Sequence, residues 1–157
     1  MIHSSKQVQD FKTEFLSRWD HAQDYSVQVA EAMPASEYHF RPTRNVRSFA
    51  EILIHIGTAI PYLASQGLPS VKLISYQGTL RDKAAIIAFL RHAYKNVRQV
   101  VETTESKVFE QSVRFWAGKA SIRKILNLAN DHVTHHRGQA TIYLRLQEIQ
   151  PPAYIGW

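Results

Sequence analysis

The sequence predicts an all-α protein, a four-helix bundle with long connections and a short extended segment before the last helix. Four separate segments carry apolar residues at three- and four-residue steps, the period of a helix buried on one side. Proline, glycine and capping-box residues stand between these segments. The length of 157 residues suits a single domain spanning 1–157. Because two connections are long, the helices are not expected to run simply up and down in sequence order.

The first helix is predicted to begin at Ser4, where Gln7 completes a capping-box pattern, and to end at Met33, just before Pro34. An apolar face runs along it and is expected to belong to the core: Val8, Phe11, Phe15, Trp19, Ala22, Val29 and Met33. A connection through residues 34–44 follows. It is long enough to carry the chain to another corner of a bundle.

The second helix is predicted to begin at Ser48, because Ser48 and Glu51 match a capping box, and to end near Gly67. Its inward stripe is expected to comprise Glu51, Ile52, His55, Ala59, Tyr62 and Gln66. His55 is therefore expected to point into the interior of the bundle.

The third helix is predicted to begin at the capping pattern Thr79–Asp82. Its apolar residues repeat at bundle spacing: Ile87, Leu90, Tyr94, Val97 and Val101. Residues 105–119 lose the helical period, which favours an extended excursion or a short hairpin.

The fourth helix is predicted to run from near Ser121 to about Gln150, where Pro151 follows. Its inward stripe is expected to comprise Ile125, Leu128, His132, His136, Gln139, Tyr143 and Leu146. Arg137 lies well off this stripe and is expected to serve the surface or a helix partner.

The composition excludes several classes of protein. No apolar run approaches the roughly 18 residues of a membrane span, and the N-terminus lacks the apolar core of a signal peptide, so a cytoplasmic protein is expected. With no cysteine, any metal must be bound by His, Asp or Glu. The net charge of +6 permits an acidic partner, but no nucleic-acid-binding signature is present. The two small basic groups are therefore expected to be solvated surface: Arg41, Arg44 and Arg47, and Arg91, Lys95 and Arg98.

Three of the eight histidines fall within five residues of the fourth helix. His132 and His136 are four residues apart, the spacing at which two imidazoles on one helical face can bind one metal ion. His55 would complete a three-histidine site with an open coordination position, as in catalytic zinc sites. Imidazole also suits nickel, iron and copper, so the metal is not determined. The simpler alternative for each histidine is a hydrogen-bonded core residue.

Two further residues are candidate catalytic groups. Glu51 lies near His55 and can act as a general base or an extra metal ligand, although its place in the capping box is the simpler explanation. His135 can accept a proton or orient the ligands, or simply face solvent. The candidate substrate contacts are Tyr62, Gln139 and Tyr143, with ordinary packing as the alternative for the tyrosines.

Several motifs together carry a resemblance to a known family, and they span most of the chain. They are Met33-Pro34, Arg41-Pro42, Ser48-Phe49, Leu53-Ile54-His55-Ile56, His132-x3-His136-Arg137-Gly138-Gln139, Tyr143-Leu144-Arg145 and the Pro-Pro tail. With them the chain resembles the DinB family, also described as DinB/YfiT-like. The resemblance implies a four-helix bundle, often a homodimer, that binds nickel or zinc through His55, His132 and His136. One departure is Asp131, where such proteins often have Asn.

The resemblance also implies a class of reaction. Relatives include transferases dependent on low-molecular-weight thiols such as bacillithiol, mycothiol-dependent enzymes and maleylpyruvate isomerase. The leading expectation is therefore a metal-dependent enzyme that transfers such a thiol to an electrophilic small-molecule substrate. One alternative is a metal-dependent hydrolase, in which Glu51 or His135 accepts a proton from a metal-activated water. The other is a non-catalytic metal-binding stress-response protein.

Overall fold

The computed structural model describes the backbone of residues 3–156 and the side chains of residues 11–156. The predicted capping box at Ser4 and the side chain of Val8 lie outside these described side chains. The elements, in order, are α1 His3–Ala32, a 3-10 turn Ala35–Glu37, α2 Phe49–Ser65, α3 Lys83–Thr103, a 3-10 turn Ser106–Glu110, β1 Ser112–Phe115, β2 Gly118–Ser121 and α4 Ile122–Leu146. β1 and β2 form an antiparallel hairpin. The predicted helical fold, with an extended segment before its last helix, is confirmed.

The four helices form a ring in which each packs mainly on two others. α2 lies against α3 and α4, and α1 also lies against α3 and α4, so the consecutive helices α1 and α2 are diagonal partners. The connection between them is anchored by the fully buried Tyr38, whose hydroxyl donates to the Ala30 carbonyl at 2.7 Å. The order of the helices around the bundle thus differs from their order in the sequence, which agrees with the prediction from the long connections. None of the helices in residues 3–156 combines the length and the hydropathy that crossing a membrane requires.

The starts of the helices follow their capping residues. The predicted capping box of α2 is present, with the Ser48 amide donating to Glu51 Oε2 at 2.6 Å and the Glu51 amide donating to Ser48 Oγ at 3.3 Å. Ser121 accepts from the Lys124 amide and caps α4. The residue that caps α3 is Asp82 and not Thr79, because its carboxylate accepts from the Ala85 amide at 2.9 Å.

The buried face of α4 differs from the predicted stripe. Leu128 and Leu146 are 37% and 54% exposed, and Gln139 is exposed as well. The buried face comprises Ile122, Ile125, Leu126, Ala129, Asn130, Val133, His136, Arg137, Ala140, Tyr143 and Leu144. It is displaced toward α1, so the two histidines lie at its edge rather than at its centre. The helix also ends at Leu146, four residues earlier than predicted, and Glu148 then adopts a φ of 58°.

Candidate metal centre

Three histidines from two helices meet at the seam between α2 and α4. His55 Nε2 lies 3.0 Å from His136 Nε2 and 3.1 Å from His132 Nε2. His55 and His132 are half-buried, whereas His136 is 8% exposed. One ring nitrogen from each histidine lies within 4.8 Å of the other two. The structure therefore brings together the three residues that the sequence singled out.

The donor set fits a divalent metal ion. Two nitrogens that bind the same ion at about 2.0–2.1 Å lie roughly 3.0–3.4 Å apart, and both measured Nε2 to Nε2 distances fall in this interval. Three neutral imidazoles leave the full charge of a dication at the centre. They also leave coordination positions open, which is typical of catalytic rather than structural sites.

Burial and neighbouring positive charge favour the neutral form of these histidines. Burial lowers the pKa of His55 to about 4, with further lowering by His136, Arg47 and His132. Burial also lowers the pKa values of His132 and His136, and the charge of Arg47 contributes to both. Because a metal ligand must be deprotonated, neutral rings of this kind can bind a cation without first losing protons.

Gln139 holds the ring of His136. Its Oε1 accepts a hydrogen bond from His136 Nδ1 at 2.8 Å. An amide oxygen only accepts, so Nδ1 carries the proton and Nε2 keeps its lone pair for a metal ion. The amide nitrogen of Gln139 lies 3.3 Å from Nε2 of the exposed His135. Gln139, predicted as a substrate contact, thus orients the ring of His136, and His135 contacts both Gln139 and the ring of His136, the latter in a T-shaped arrangement.

Glu51 is occupied by other interactions. Besides the capping box, its Oε2 accepts from Arg41 Nη2 at 3.0 Å. The backbone hydrogen bond to Ser48 is the largest cause that lowers the pKa of Glu51, and Arg41 lowers it further. A carboxylate with a lowered pKa is a weak base, so the capping role accounts for its contacts better than proton transfer does.

A polar cleft adjoins the centre on the side of Gln139. Its volume is about 740 Å³, and its lining residues are Arg41, Pro42, Thr43, Arg44, Asn45, Val46, Arg47, Glu51, Ile52, Gln139 and Tyr143. Tyr143 is 7% exposed and its hydroxyl donates to the Arg47 carbonyl at 2.9 Å. This predicted substrate contact therefore lines the cleft while holding the backbone of the arginine segment.

An apolar recess of about 360 Å³ adjoins His55 and is lined by His55, Thr58, Ala59, Tyr62, Leu73 and Ile74. Tyr62 is 48% exposed, so its predicted inward orientation is wrong. The reason is that α2 buries the faces that contact α3 and α4, and Tyr62 lies on neither of these faces. It still borders the recess together with Leu73, which is 67% exposed and lies in the α2 to α3 connection.

Two arginines contribute more to the structure than the sequence indicates. Arg137 is 4% exposed, donates to the Ala22 carbonyl at 3.3 Å and stacks over the Tyr25 ring at 4.7 Å. Of its two predicted roles, contact with a helix partner is the one observed, because aromatic stacking and a carbonyl partner on α1 let the guanidinium be buried. Arg47 affects the pKa of all three site histidines. Its place just before the cap of α2, about two helical turns before His55, was the available signal.

Comparisons with known proteins agree with the fold. Solved structures of DinB-like proteins from Bacillus subtilis and Bacillus cereus match with TM-scores of 0.74 and 0.77 and sequence identities of 17% and 18%. Each match covers 90% of this chain and 96% or 95% of the other. A structure described as a putative member of the DinB family from Exiguobacterium sibiricum matches with a TM-score of 0.67 at 14% identity, over 88% of this chain and 93% of that one. Among curated protein sequences, none matches the chain.

The sequence itself matches the model of the DinB family over residues 4–154. This range includes all four helices and the three histidines at the seam of α2 and α4. The chain belongs to the DinB family.

Proposed function

We propose that this protein is a metal-dependent enzyme that transfers a low-molecular-weight thiol to an electrophilic substrate. The observation that carries the proposal is the convergence of three neutral imidazoles, His55, His132 and His136, beside a polar cleft and an apolar recess. Nickel or zinc suits these ligands. A bound dication of this kind supplies Lewis-acid chemistry, lowering the pKa of a thiol or water that it binds.

The residues of the chain would position the reactants. Gln139 fixes the ring of His136, and the packing of α2 on α4 fixes His55 against both partners. The recess beside His55 offers an apolar surface for an electrophile, and the cleft beside Gln139 offers polar groups for the other reactant. Holding two reactants side by side lowers the entropic part of the barrier. In the reaction the thiol gives its proton to solvent, its sulfur forms a bond to the electrophilic carbon as the bond from that carbon to the leaving group breaks, and the leaving group departs with the electron pair.

The state of the candidate bases favours thiol transfer over hydrolysis. Glu51 is held by Ser48 and Arg41, and His135 is exposed and linked to Gln139. Hydrolysis through a metal-activated water gains from a free general base close to that water. A thiol has a much lower intrinsic pKa than water, so lowering it by a metal ion suffices without such a base.

The first test is elemental analysis of protein purified without a metal-affinity tag. We expect close to one equivalent of nickel or zinc in the wild type, and its loss in His55→Ala and His132→Ala. His92→Ala, an exposed histidine of α3, is the matched control and should retain the metal. Metal retained in both site variants would refute the assignment of the ligands.

The second test is turnover. Metal-loaded protein is offered bacillithiol, mycothiol, coenzyme A or glutathione together with a chlorinated aromatic electrophile, and loss of the free thiol is followed. The proposal expects thiol-dependent product that His132→Ala does not form. Turnover of esters or amides without thiol would instead identify a hydrolase. Absence of all turnover, with a chelator-induced drop in melting temperature, would indicate a metal-binding protein without catalysis.

A further inference from the structure

The cleft beside the histidines carries an excess of positive charge. Its lining includes three arginines, Arg41, Arg44 and Arg47, and a single carboxylate, Glu51. Glu51 pairs with Arg41 at 3.0 Å. The remaining ion pairs among the described residues involve neither Arg44 nor Arg47. The cleft therefore presents two guanidinium groups that lack a carboxylate partner.

The backbone that carries these arginines is held in place. The Tyr143 hydroxyl donates to the Arg47 carbonyl, and Arg41 Nη1 reaches the Val46 carbonyl at 3.5 Å. At its ends the segment is fixed by the Phe49 amide, which donates to the Phe40 carbonyl at 2.9 Å, and by the cap at Ser48. The Ser48 and Glu51 amides are used by that cap, and the Phe49 and Ala50 amides donate to the carbonyls of Phe40 and Tyr38, so the start of α2 leaves anion binding to the guanidinium groups. A segment pinned in this way presents them with little loss of backbone entropy on binding.

The position of the cleft makes its charge significant for the metal centre. Gln139 both lines the cleft and accepts a hydrogen bond from His136, and Arg47 lines the same cleft. The histidines bring no negative charge to a bound dication. Two unpaired guanidiniums beside such a centre raise the local positive charge further, which is unfavourable unless an anion binds there.

We propose that Arg44 and Arg47 form an anion-binding subsite, which receives a carboxylate or phosphate group of a substrate whose reacting atom lies at the three-histidine centre. Both anions match the forked donors of arginine. The binding of an anion by the two arginines does not depend on the proposed function, whereas the role of that anion as part of a substrate rests on it. The cleft therefore favours a reactant that carries an anionic group, and the apolar recess stays available to the other reactant.

The test is the binding of two probes, inorganic phosphate and succinate, by equilibrium dialysis with labelled ligand. Arg44→Gln and Arg47→Gln are compared with Arg114→Gln, because Arg114 is an exposed arginine of the β-hairpin that takes part in none of the ion pairs among the described residues. Each cleft variant should bind one or both probes about three- to tenfold more weakly, the double variant more weakly still, and the control like the wild type. The wild-type affinity should fall as salt is raised, because both groups are exposed.

A metal ion can bind phosphate directly, so every measurement is repeated with metal-free His132→Ala protein. Binding that persists there and still depends on Arg44 and Arg47 supports the subsite, and the preferred probe identifies the carboxylate or the phosphate as its ligand. Equal affinities for the cleft variants and Arg114→Gln overturn the inference. So does binding that disappears with His132→Ala alone, because the metal would then be the anion site. Persistent arginine-dependent binding in a protein that transfers no thiol would refute only the proposed function.

Discussion

Replacing Gln139 should weaken metal binding without changing a ligand. Gln139 accepts the Nδ1 proton of His136 at 2.8 Å, which fixes the tautomer that exposes the Nε2 lone pair. Loss of such an outer partner costs about 10- to 100-fold in metal affinity. Gln139 is exposed, so water can take over part of its role, and we expect Gln139→Leu to lie near the tenfold end, about 1.4 kcal/mol. Gln139→Glu should bind metal at least as tightly as the wild type, because a carboxylate accepts the same proton more strongly.

The assay is competition for zinc against a chromophoric chelator at neutral pH. Gln99→Leu, an exposed glutamine of α3, controls for the general effect of an apolar surface substitution. His135→Ala separates the second contact of Gln139, at 3.3 Å, from the first. We expect it to change the affinity less than Gln139→Leu does. If Gln139→Leu and Gln99→Leu bind zinc equally, or if Gln139→Glu binds more weakly than Gln139→Leu, the orientation of His136 by Gln139 is refuted.

Three further predictions concern stability. Burial lowers the pKa of His55 to about 4, so between pH 6.5 and 4 the unfolded chain binds more protons than the folded one. In the metal-free protein, the stability contributed by neutral His55 should be complete above pH 6.5. The free energy of unfolding should then decrease by about 1–2 kcal/mol as the pH falls toward 4, after allowance for solvent screening. Denaturant titrations should show a smaller decrease for His55→Phe. Arg137→Lys should lower the free energy of unfolding by about 1–3 kcal/mol, because an ammonium cannot both stack on Tyr25 and reach the Ala22 carbonyl. Arg137→Met buries no charge, so it should lower the free energy of unfolding by a smaller amount. A larger loss for Arg137→Met than for Arg137→Lys would contradict this account. A Cβ at Gly57 would lie 2.5 Å from the ring of Phe89, so Gly57→Ala should cost about 1–3 kcal/mol in thermal or denaturant unfolding, whereas Gly138→Ala, where a Cβ meets nothing within 4 Å, should not show this loss.

The helices were predictable because their signals are local. Apolar spacing and capping residues depend only on neighbours in sequence, and Ser48 and Ser121 indeed cap α2 and α4. The inward direction of α4 was not predictable in the same way. Its apolar face must serve both α2 and α1, so a second stripe through Val133, Ala140 and Leu144 competes with the one through the histidines. Arg137 belongs to that second stripe, and no local pattern in the sequence indicates that its guanidinium stacks on an aromatic ring of α1.

The site was predictable to the extent that its residues share a face or a motif. His132 and His136 are paired by helical spacing alone, and His55 follows from the orientation of α2. The sequence predicts the arginines of the cleft to be solvated surface, because local sequence patterns do not determine how a connection folds back on a helix. The hydrogen bond from Tyr143 to Arg47, across 96 residues, and the packing of Phe40 on the Tyr143 ring show that this segment lies beside α4.

The displaced face of α4 bears on the proposed function. Histidines at the centre of the bundle would be enclosed by four helices, and a metal ion bound there would have no room for a reactant. At the edge of the buried face, His55 and His132 are half-buried, and both the cleft and the recess open beside them. The rings are thus buried enough to stay neutral and exposed enough to be reached from solvent. An exposed edge would serve no purpose in a purely structural metal site, since such sites are closed by their protein ligands.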